Sequence, residues 1–365
     1  MATHRTDLYL ALFLFSMYFA ISAVDFGYLR DYSQDLYTYY LAPKAFSAGV
    51  DAYDQASWRL FASSNGVRVH SFVYSPIFAL FFLPLSSLSI QEVQVAWFFI
   101  NQLFIASSII LLHKKLRLDK IRVSLLYYVP FIYLLHLNNS LGQNSALLLF
   151  LISATIYLHD RMPSLSGAAA VLSFFSKSHM FPLPLLFFAR RDYPAAAGVL
   201  VSAALLFSAS LVYFGLSPWV GYITYSREYM EQVIWEGRSV WGKASEIAGL
   251  DAETTYPLYA LIVLAAFLTA SKSMAPPLAV SYTLSTILII SPLLHGHHLV
   301  YLLPASLLLL AYEAAEGRRH YSLAGIVLLM LGLSETEMTA PMVASVAYFW
   351  AYPLILHSRA SGKSP

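Results

Sequence analysis

The sequence predicts an all-α polytopic membrane protein, a single integral membrane domain over residues 1–365 built as a bundle of about twelve transmembrane helices. Its composition is 58% hydrophobic and 12% charged, with a mean hydropathy of +0.62, whereas about 25% of the residues of a soluble domain are charged. The chain also contains twelve long apolar runs. These runs lack the alternating ten-residue pattern of a membrane barrel, so their backbone groups must be paired within helices.

The twelve apolar runs are long enough, or nearly long enough, to cross about 30 Å of hydrocarbon. The first run follows Arg5 and resembles a signal peptide, but it has no small-residue cleavage site and many more runs follow. We therefore expect a retained first helix. The runs cover residues 8–24, 72–88, 93–113, 123–137, 145–158, 165–189, 195–213, 256–270, 278–293, 299–312, 323–333 and 342–356.

Two polar stretches are too long to be simple connectors between these helices. Residues 25–71 follow the first apolar run and are predicted as a first outer loop, and residues 215–255 are predicted as a second large outer loop. The histidines of residues 295–298 are expected on the same outer face. These three segments are the predicted working surface of the protein.

Basic residues mark cytoplasmic loops, and one cluster conflicts with a simple count of crossings. Twelve crossings from a cytoplasmic N-terminus place residues 114–122, the densest basic loop, on the outside. The conflict disappears if residues 72–88 and 93–113 together make one net crossing. The number of crossings then remains an even number, provided that residues 165–189 form two short pieces.

Composition excludes several classes of function. The chain has no cysteine, so it can form neither a disulfide nor a thiolate metal site. Its net charge is +2 and its basic residues lie in short loops, so nucleic-acid binding is unsupported.

Asp35 is the candidate catalytic residue. A carboxylate in a partly dry cleft at a membrane surface can have its pKa raised toward neutrality and act as a general base. The alternative is an ordinary solvated acid in a loop. Asp31 lies one helical turn earlier and raises the question of a metal site, but two carboxylates without further ligands are a weak signal. No metal is predicted.

A polar turn at residues 138–144 precedes the fifth apolar run. Gln143 and Asn144 can present side-chain amides, and the helix start can present free N–H groups, to an anion or a sugar. The alternative is that Asn144 or Ser145 only caps the helix. Both amides are candidate substrate-binding residues.

Lys177 and three histidines are ionisable groups among apolar residues. An ionisable residue within an apolar run usually faces a cavity, a partner or a ligand, although Lys177 could also snorkel to the nearest surface. An ammonium suits a lipid-linked phosphate. The imidazoles of His295, His297 and His298 favour contact with phosphate or sugar over a zinc site.

The order of several short motifs across residues 27–304 resembles glycosyltransferase family 87. The motifs are Asp-x-x-x-Tyr, Gly-x-x-x-Tyr, Tyr-x-Pro with a later Pro-Leu, Gly-Gln, a lysine followed by prolines and a double-basic loop, and Ser-Pro with His-His. In this sequence they are Asp35/Tyr39, Gly49/Tyr53, Tyr74/Pro76 with Pro84-Leu85, Gly142-Gln143-Asn144, Lys177 with Arg190-Arg191, and Ser291-Pro292 with His297-His298.

The resemblance implies a GT-C-type fold, with about a dozen helices and a large first outer loop that carries the catalytic acid. It implies that Asp35 deprotonates the acceptor hydroxyl and that the sugar is transferred with inversion. Lys177, His297 and His298 would bind the donor phosphate, and the substrate-binding residues would be Tyr39, Tyr74, Gln143, Asn144 and His295.

The implied donor is a polyprenyl-phosphate hexose, with mannose as the expected sugar, and the implied acceptor is lipid-linked or glycan-linked. No cofactor is expected, and the partners are these substrates and membrane lipids. The protein would reside in the cell (plasma) membrane with its active site on the non-cytoplasmic face. Two alternatives remain open, a secondary transporter with an intramembrane polar pathway and a related lipid-dependent transferase that acts on protein.

Overall fold

A computed structural model describes residues 34–118, 125–235, 239–292, 294–318, 321–333 and 339–360, together with residues 16, 18–20 and 22–24. Within these ranges the protein is helical and contains no β-strand. Most of the first apolar run lies outside the described residues, and its described part is helical. The all-α prediction is therefore confirmed.

Sixteen α-helices are described in chain order. They are α1 Gln34–Ser47, α2 Gln55–Ser64, α3 Pro76–Phe82, α4 Ile90–Leu116, α5 Val129–Leu141, α6 Ser145–Leu158, α7 Pro163–Ser176, α8 Pro182–Ala189, α9 Tyr193–Phe214, α10 Ser217–Trp235, α11 Val240–Ala248, α12 Ala252–Ala270, α13 Pro276–Ile290, α14 Leu302–Ala315, α15 Ser322–Gly332 and α16 Ala340–Ala360. Short 3₁₀ turns at Leu83–Ser87, Leu125–Tyr127, Ser178–Met180 and Gly296–Tyr301 connect some of them.

Four of the described helical segments are long and apolar enough to cross a membrane: α4, α9, α16, and α14 with the 3₁₀ turn before it. The remaining apolar helices are shorter. α9 shows the surface that lipid requires, because large apolar side chains such as Leu205 and Val212 are 66% and 84% exposed. A soluble domain rarely leaves such a continuous apolar face uncovered, so the chain is an integral membrane protein.

Residues 72–88 do not form a full span. α3 has 7 residues, begins with Pro76 and ends in a 3₁₀ turn that contains Pro84. Seven helical residues extend about 10 Å, which is too short for the hydrocarbon core. α4 has 27 residues and is long and apolar enough to cross alone, which is compatible with the alternative in which these two runs make one net crossing.

Residues 165–189 form two pieces, as the same alternative requires. α7 ends where Lys177 adopts an extended backbone (φ −150°, ψ 120°), and α8 begins at Pro182 after a 3₁₀ turn. Residues 215–255, which were predicted as an outer loop, contain α10 and α11 and the start of α12.

Side-chain contacts gather the basic loops at one end of the bundle, which we call the basic end. Lys115 pairs with Asp160 at 2.5 Å, and His159 contacts Asp192 at 2.7 Å. Arg190 donates to the carbonyl of Ser271 at 2.7 Å. Lys115, in the described part of the dense basic loop, therefore lies at the same end as the double-basic loop Arg190-Arg191. The count of twelve separate crossings had placed these two loops on opposite sides.

The opposite end, which we call the site end, is formed by α1, α2 and α3. These helices pack on α4, α6 and α7 through a second hydrophobic core that contains Tyr39, Trp58 and Phe78. The larger core surrounds α13 and α14. α7 and α9 approach very closely, since a Cβ at Gly167 would lie 2.0 Å from the carbonyl oxygen of Ala195. The helices of the site end, α1, α2 and α3, thus rest on a closely packed bundle.

Candidate active site

Asp35 lies in the first turn of α1, at the site end of the bundle. The side chain is half-buried, and its Oδ2 accepts a hydrogen bond from Gln143 Nε2 at 2.6 Å. The positive end of a helix dipole favours a carboxylate in this position. The predicted base is therefore held by the polar turn that the sequence also singled out.

Gln143 is fixed by the junction between α5 and α6. Gly142 ends α5 in the left-handed conformation (φ +68°), and its carbonyl accepts from Trp97 Nε1 at 3.2 Å. The Gln143 side chain is 7% exposed. Its Nε2 faces Asp35, while its Oε1 accepts from Tyr39 OH at 3.1 Å and from Lys177 Nζ at 3.4 Å. One amide thus connects the carboxylate to the lysine.

Tyr39 and Tyr74 form the wall beside this amide. Tyr39 is fully buried, and its hydroxyl lies 2.9 Å from the hydroxyl of Tyr74. The two rings meet edge to face with centroids 5.0 Å apart, an arrangement that aromatic quadrupoles favour. Tyr53 OH donates to the Tyr74 carbonyl at 2.6 Å. All three tyrosines of the predicted motifs therefore meet in one network.

Lys177 occupies the break between α7 and α8 and is 8% exposed. Its Nζ lies 2.7 Å from His298 Nε2, in addition to its contact with Gln143. Asn144 Nδ2 donates to the carbonyl of Ser176 at 3.3 Å and holds the broken segment in place. Lys177 does not snorkel to the surface but points into the site, and Asn144 supports its backbone.

Three histidines lie together at the 3₁₀ turn before α14, and His298 contacts Lys177. The His295 backbone N–H donates to His298 Nδ1 at 3.2 Å, so a neutral His298 carries its proton on Nε2. The ring centroids of His297 and His298 are 4.3 Å apart. His297 is 3% exposed, and neither of its ring nitrogens has a hydrogen-bond partner within the described part of the chain.

This arrangement places hydrogen-bond donors against one another. Nε2–H of His298 and the ammonium of Lys177 are both donors, and they face each other at 2.7 Å. An anionic oxygen that accepts from both groups resolves the contact, as phosphate oxygens do. The cluster therefore has the character of an anion site.

Burial raises the pKa of the Asp35 carboxyl above its ordinary value. His70, Lys177 and the hydrogen bond from Gln143 oppose this effect but do not cancel it. A raised pKa makes the carboxylate a stronger proton acceptor, which is what a general base requires.

Two residues of the site were missed by the sequence reasoning. The ring centroids of His179 and Tyr301 lie 5.1 Å and 6.2 Å from that of His298. Tyr301 follows His298 by three residues and shares its 3₁₀ turn, which is a usable signal. His179 is two residues beyond Lys177, but nothing in its spacing distinguishes it from a helix-break residue.

The acidic and imidazole side chains do not assemble into a metal site in the described residues. No group of three or more His, Cys, Asp or Glu there could hold a metal ion. Asp31, the other acid considered for such a site, lies outside the described residues.

One comparison with known proteins gives a match. The model of glycosyltransferase family 87 matches residues 72–294, which is more than half of the chain. The match includes Tyr74, Gln143, Asn144 and Lys177, while Asp35 precedes it and the histidines follow it. Comparison with curated proteins and with solved structures gives no match.

Proposed function

The chain belongs to glycosyltransferase family 87, and from this premise we propose that it moves a hexose from a polyprenyl-phosphate donor to a lipid-linked or glycan-linked acceptor. Mannose is the expected sugar. Transfer inverts the anomeric carbon, and Asp35 is the general base. The site end faces the non-cytoplasmic side of the cell membrane, because the basic loops gather at the other end.

The observation that carries this proposal is the continuous chain from Asp35 through Gln143 to Lys177 and His298. A single amide group separates the acid from Lys177 and His298. Glycosyl transfer from a lipid phosphate needs a base and a group that stabilises the leaving phosphate close together, because the acceptor loses a proton while the phosphate gains charge.

The proposed reaction is a single displacement. The acceptor hydroxyl gives its proton to Asp35, and its oxygen forms a bond to the anomeric carbon. The bond between that carbon and the phosphate oxygen breaks, and its electron pair leaves with the lipid phosphate. The atoms balance without a further reactant, since the proton lost by the acceptor stays on Asp35.

The leaving phosphate is stabilised by donors that are already in place. Lys177 supplies a positive charge, and the ring N–H groups of His297 and His298 supply directed hydrogen bonds. Such preorganised donors in a water-poor site act strongly on developing charge. His295 fixes the ring of His298 through its backbone N–H, and Tyr39 and Tyr74 line the side of the acceptor.

Retaining glycosidases use a second carboxylate about 5–5.5 Å from the first. None of the side-chain contacts of Asp35, Gln143 or Lys177 in the described residues involves a second acid. One base and a stabilised leaving group are the parts that inversion requires, and this supports a single inverting step.

The test is transfer of labelled sugar from synthetic polyprenyl-phosphate-mannose to a membrane lipid extract, with EDTA present. Asparagine at position 35 keeps an oxygen that can accept from Gln143 and removes the base. We expect Asp35→Asn to fold and to lose about 10²–10⁴-fold in rate. Glu228→Gln is the matched control, because Glu228 is an exposed acid on α10 and should keep full activity.

Retained activity in Asp35→Asn would remove Asp35 as the base. If wild type itself is inactive, a panel of other lipid-linked sugars separates a wrong sugar from a wrong donor class. Sugar uptake into vesicles without any transfer would instead favour the transporter.

A further inference from the structure

A cavity lies at the basic end, away from Asp35, Lys177 and the histidines. It has a volume of about 260 Å³ and is lined by Arg318, Tyr321, Tyr352, Leu356 and Arg359. These residues come from the segment after α14, the start of α15 and the last turns of α16. Neither the family match nor the proposed reaction assigns a role to this cavity.

The cavity and the histidine cluster lie at opposite ends of one spanning segment. The segment Gly296–Ala315 has 20 residues, which corresponds to about 30 Å of helix. It begins at the histidines and ends three residues before Arg318. Because this length equals the thickness of the hydrocarbon core, the cavity opens at the level of the headgroups in the opposite leaflet.

The cavity presents two guanidinium groups. Among the described residues that line it, two of five are arginines and none is acidic. Arg318 is 27% exposed, and Glu316 lies 3.9 Å from its guanidinium on the surface. An exposed pair of this length contributes little, so the Arg318 guanidinium is available to bind an anion, and Arg359 is exposed. Planar guanidinium groups fit phosphate oxygens in a bidentate manner.

A buried acid fixes the wall of the cavity in advance. Glu313 is fully buried and accepts from Tyr352 OH at 2.6 Å, from the Ser322 backbone N–H at 3.0 Å and from Ser322 Oγ at 2.6 Å. These donors satisfy the Glu313 carboxylate inside the wall. Tyr352 is thereby held in one orientation, and the cavity is formed before any ligand enters.

The surroundings favour a lipid over a soluble anion. Leu356 lines the cavity, and its neighbour Ile355 is 40% exposed. Tyr321, just before α15, is 51% exposed at the headgroup level, and Val327 on α15 is 42% exposed. Tyrosine at an interface with apolar side chains beyond it is the pattern that contacts a lipid headgroup and its acyl chains.

We propose that this cavity binds the phosphate headgroup of an anionic phospholipid from the leaflet at the basic end. Arg318 and Arg359 hold the phosphate, and the acyl chains lie along Ile355 and Val327. The lipid joins the ends of α14, α15 and α16. This site is independent of the proposed glycosyl transfer.

The experiment uses the full-length protein in mixed micelles of phosphatidylglycerol and phosphatidylcholine, with bound lipid counted by native mass spectrometry. We expect wild type to retain phosphatidylglycerol selectively. The double variant Arg318→Gln/Arg359→Gln should retain it about thirtyfold less, because each interfacial arginine contributes about 1 kcal/mol. The single variant Arg359→Glu changes only an exposed side chain and should also lose retention while it stays folded.

The matched control is Lys114→Gln/Lys272→Gln. It removes two exposed positive charges outside the lining of the cavity, one from the dense basic loop and one beside Ser271 at the basic end. We expect wild-type retention in this control.

Equal loss in the control and in the arginine variants would mean a general charge effect and would overturn the site. Unchanged retention in Arg359→Glu would overturn it as well. Inorganic phosphate that displaces the lipid completely at millimolar concentration would identify a soluble anion as the ligand and would overturn the lipid assignment. Sugar transfer is not measured, so the outcome is separate from that of the proposed function.

Discussion

Replacing Gln143 by leucine should change the pH dependence of transfer in a predictable direction. The substitution removes the only hydrogen bond that Gln143 gives to Asp35, at 2.6 Å. Tyr39 keeps its contact with Tyr74 at 2.9 Å, and Lys177 keeps its contact with His298 at 2.7 Å. The main change at the base is therefore the loss of one donor.

The size of the effect follows from that single bond. A hydrogen bond to a charged group contributes about 1.5–3 kcal/mol. One pKa unit corresponds to about 1.4 kcal/mol, so the pKa of Asp35, which burial already raises, should rise by a further 1–2 units, roughly. Only the ionised carboxylate accepts the proton of the acceptor, so activity is lost as the pH falls through this pKa.

The assay is the pH profile of kcat/KM for transfer from the lipid donor. In Gln143→Leu the acid limb should move upward by about 1–2 pH units. Gln94→Leu is the matched control, because Gln94 is also buried, at 5% exposed, and donates to Tyr37 at 2.6 Å. Its acid limb should coincide with that of wild type. A Gln143→Leu enzyme with measurable activity and an unmoved acid limb would refute the role of this amide.

Three further predictions concern Lys177 and His297 at the proposed phosphate site and Glu313 at the basic end. Lys177→Met should fold and lose about 10²–10³-fold in transfer rate, because the leaving phosphate loses its cation; a rate within threefold of wild type would contradict this. His297→Phe should raise Tm, since two buried nitrogens without partners disappear, while the KM for the lipid donor increases; an unchanged KM would remove His297 from the donor site. Glu313→Leu should lower the free energy of unfolding by about 2–4 kcal/mol, because the buried donors of Ser322 and Tyr352 would lose their acceptor, and denaturation by urea would measure it; equal stability would contradict the assigned hydrogen bonds.

The sequence predicted the helical membrane fold well, because hydropathy and composition act over the whole chain. It also singled out Gln143 and Lys177, since a polar turn and an ionisable residue in an apolar run are local signals, and their functional roles stay predictions. The break at Lys177 was visible from the nearby prolines and entered one of the two alternatives for the count of crossings, which itself stays a prediction.

Other features were not accessible from local patterns. Hydropathy assigns α3 to a spanning run, because hydropathy does not show that Pro76 and Pro84 limit the length of the helix. The pairing of Lys177 with His298 joins residues 121 positions apart, and no spacing rule predicts such a contact. His179 lies at the site only because the chain breaks between α7 and α8, so its position there depends on tertiary structure.

The amide of Gln143 has a fixed polarity, with its nitrogen toward Asp35 and its oxygen toward Lys177. In the proposed reaction Asp35 takes the proton of an acceptor. The carboxyl group then becomes a donor as well, and a proton on the oxygen that faces Gln143 cannot be accepted by the amide nitrogen. The amide cannot turn around without presenting its nitrogen to the lysine. The product state therefore disfavours the captured proton, and the same contact that holds the base also helps to discharge it to water before the next round of transfer.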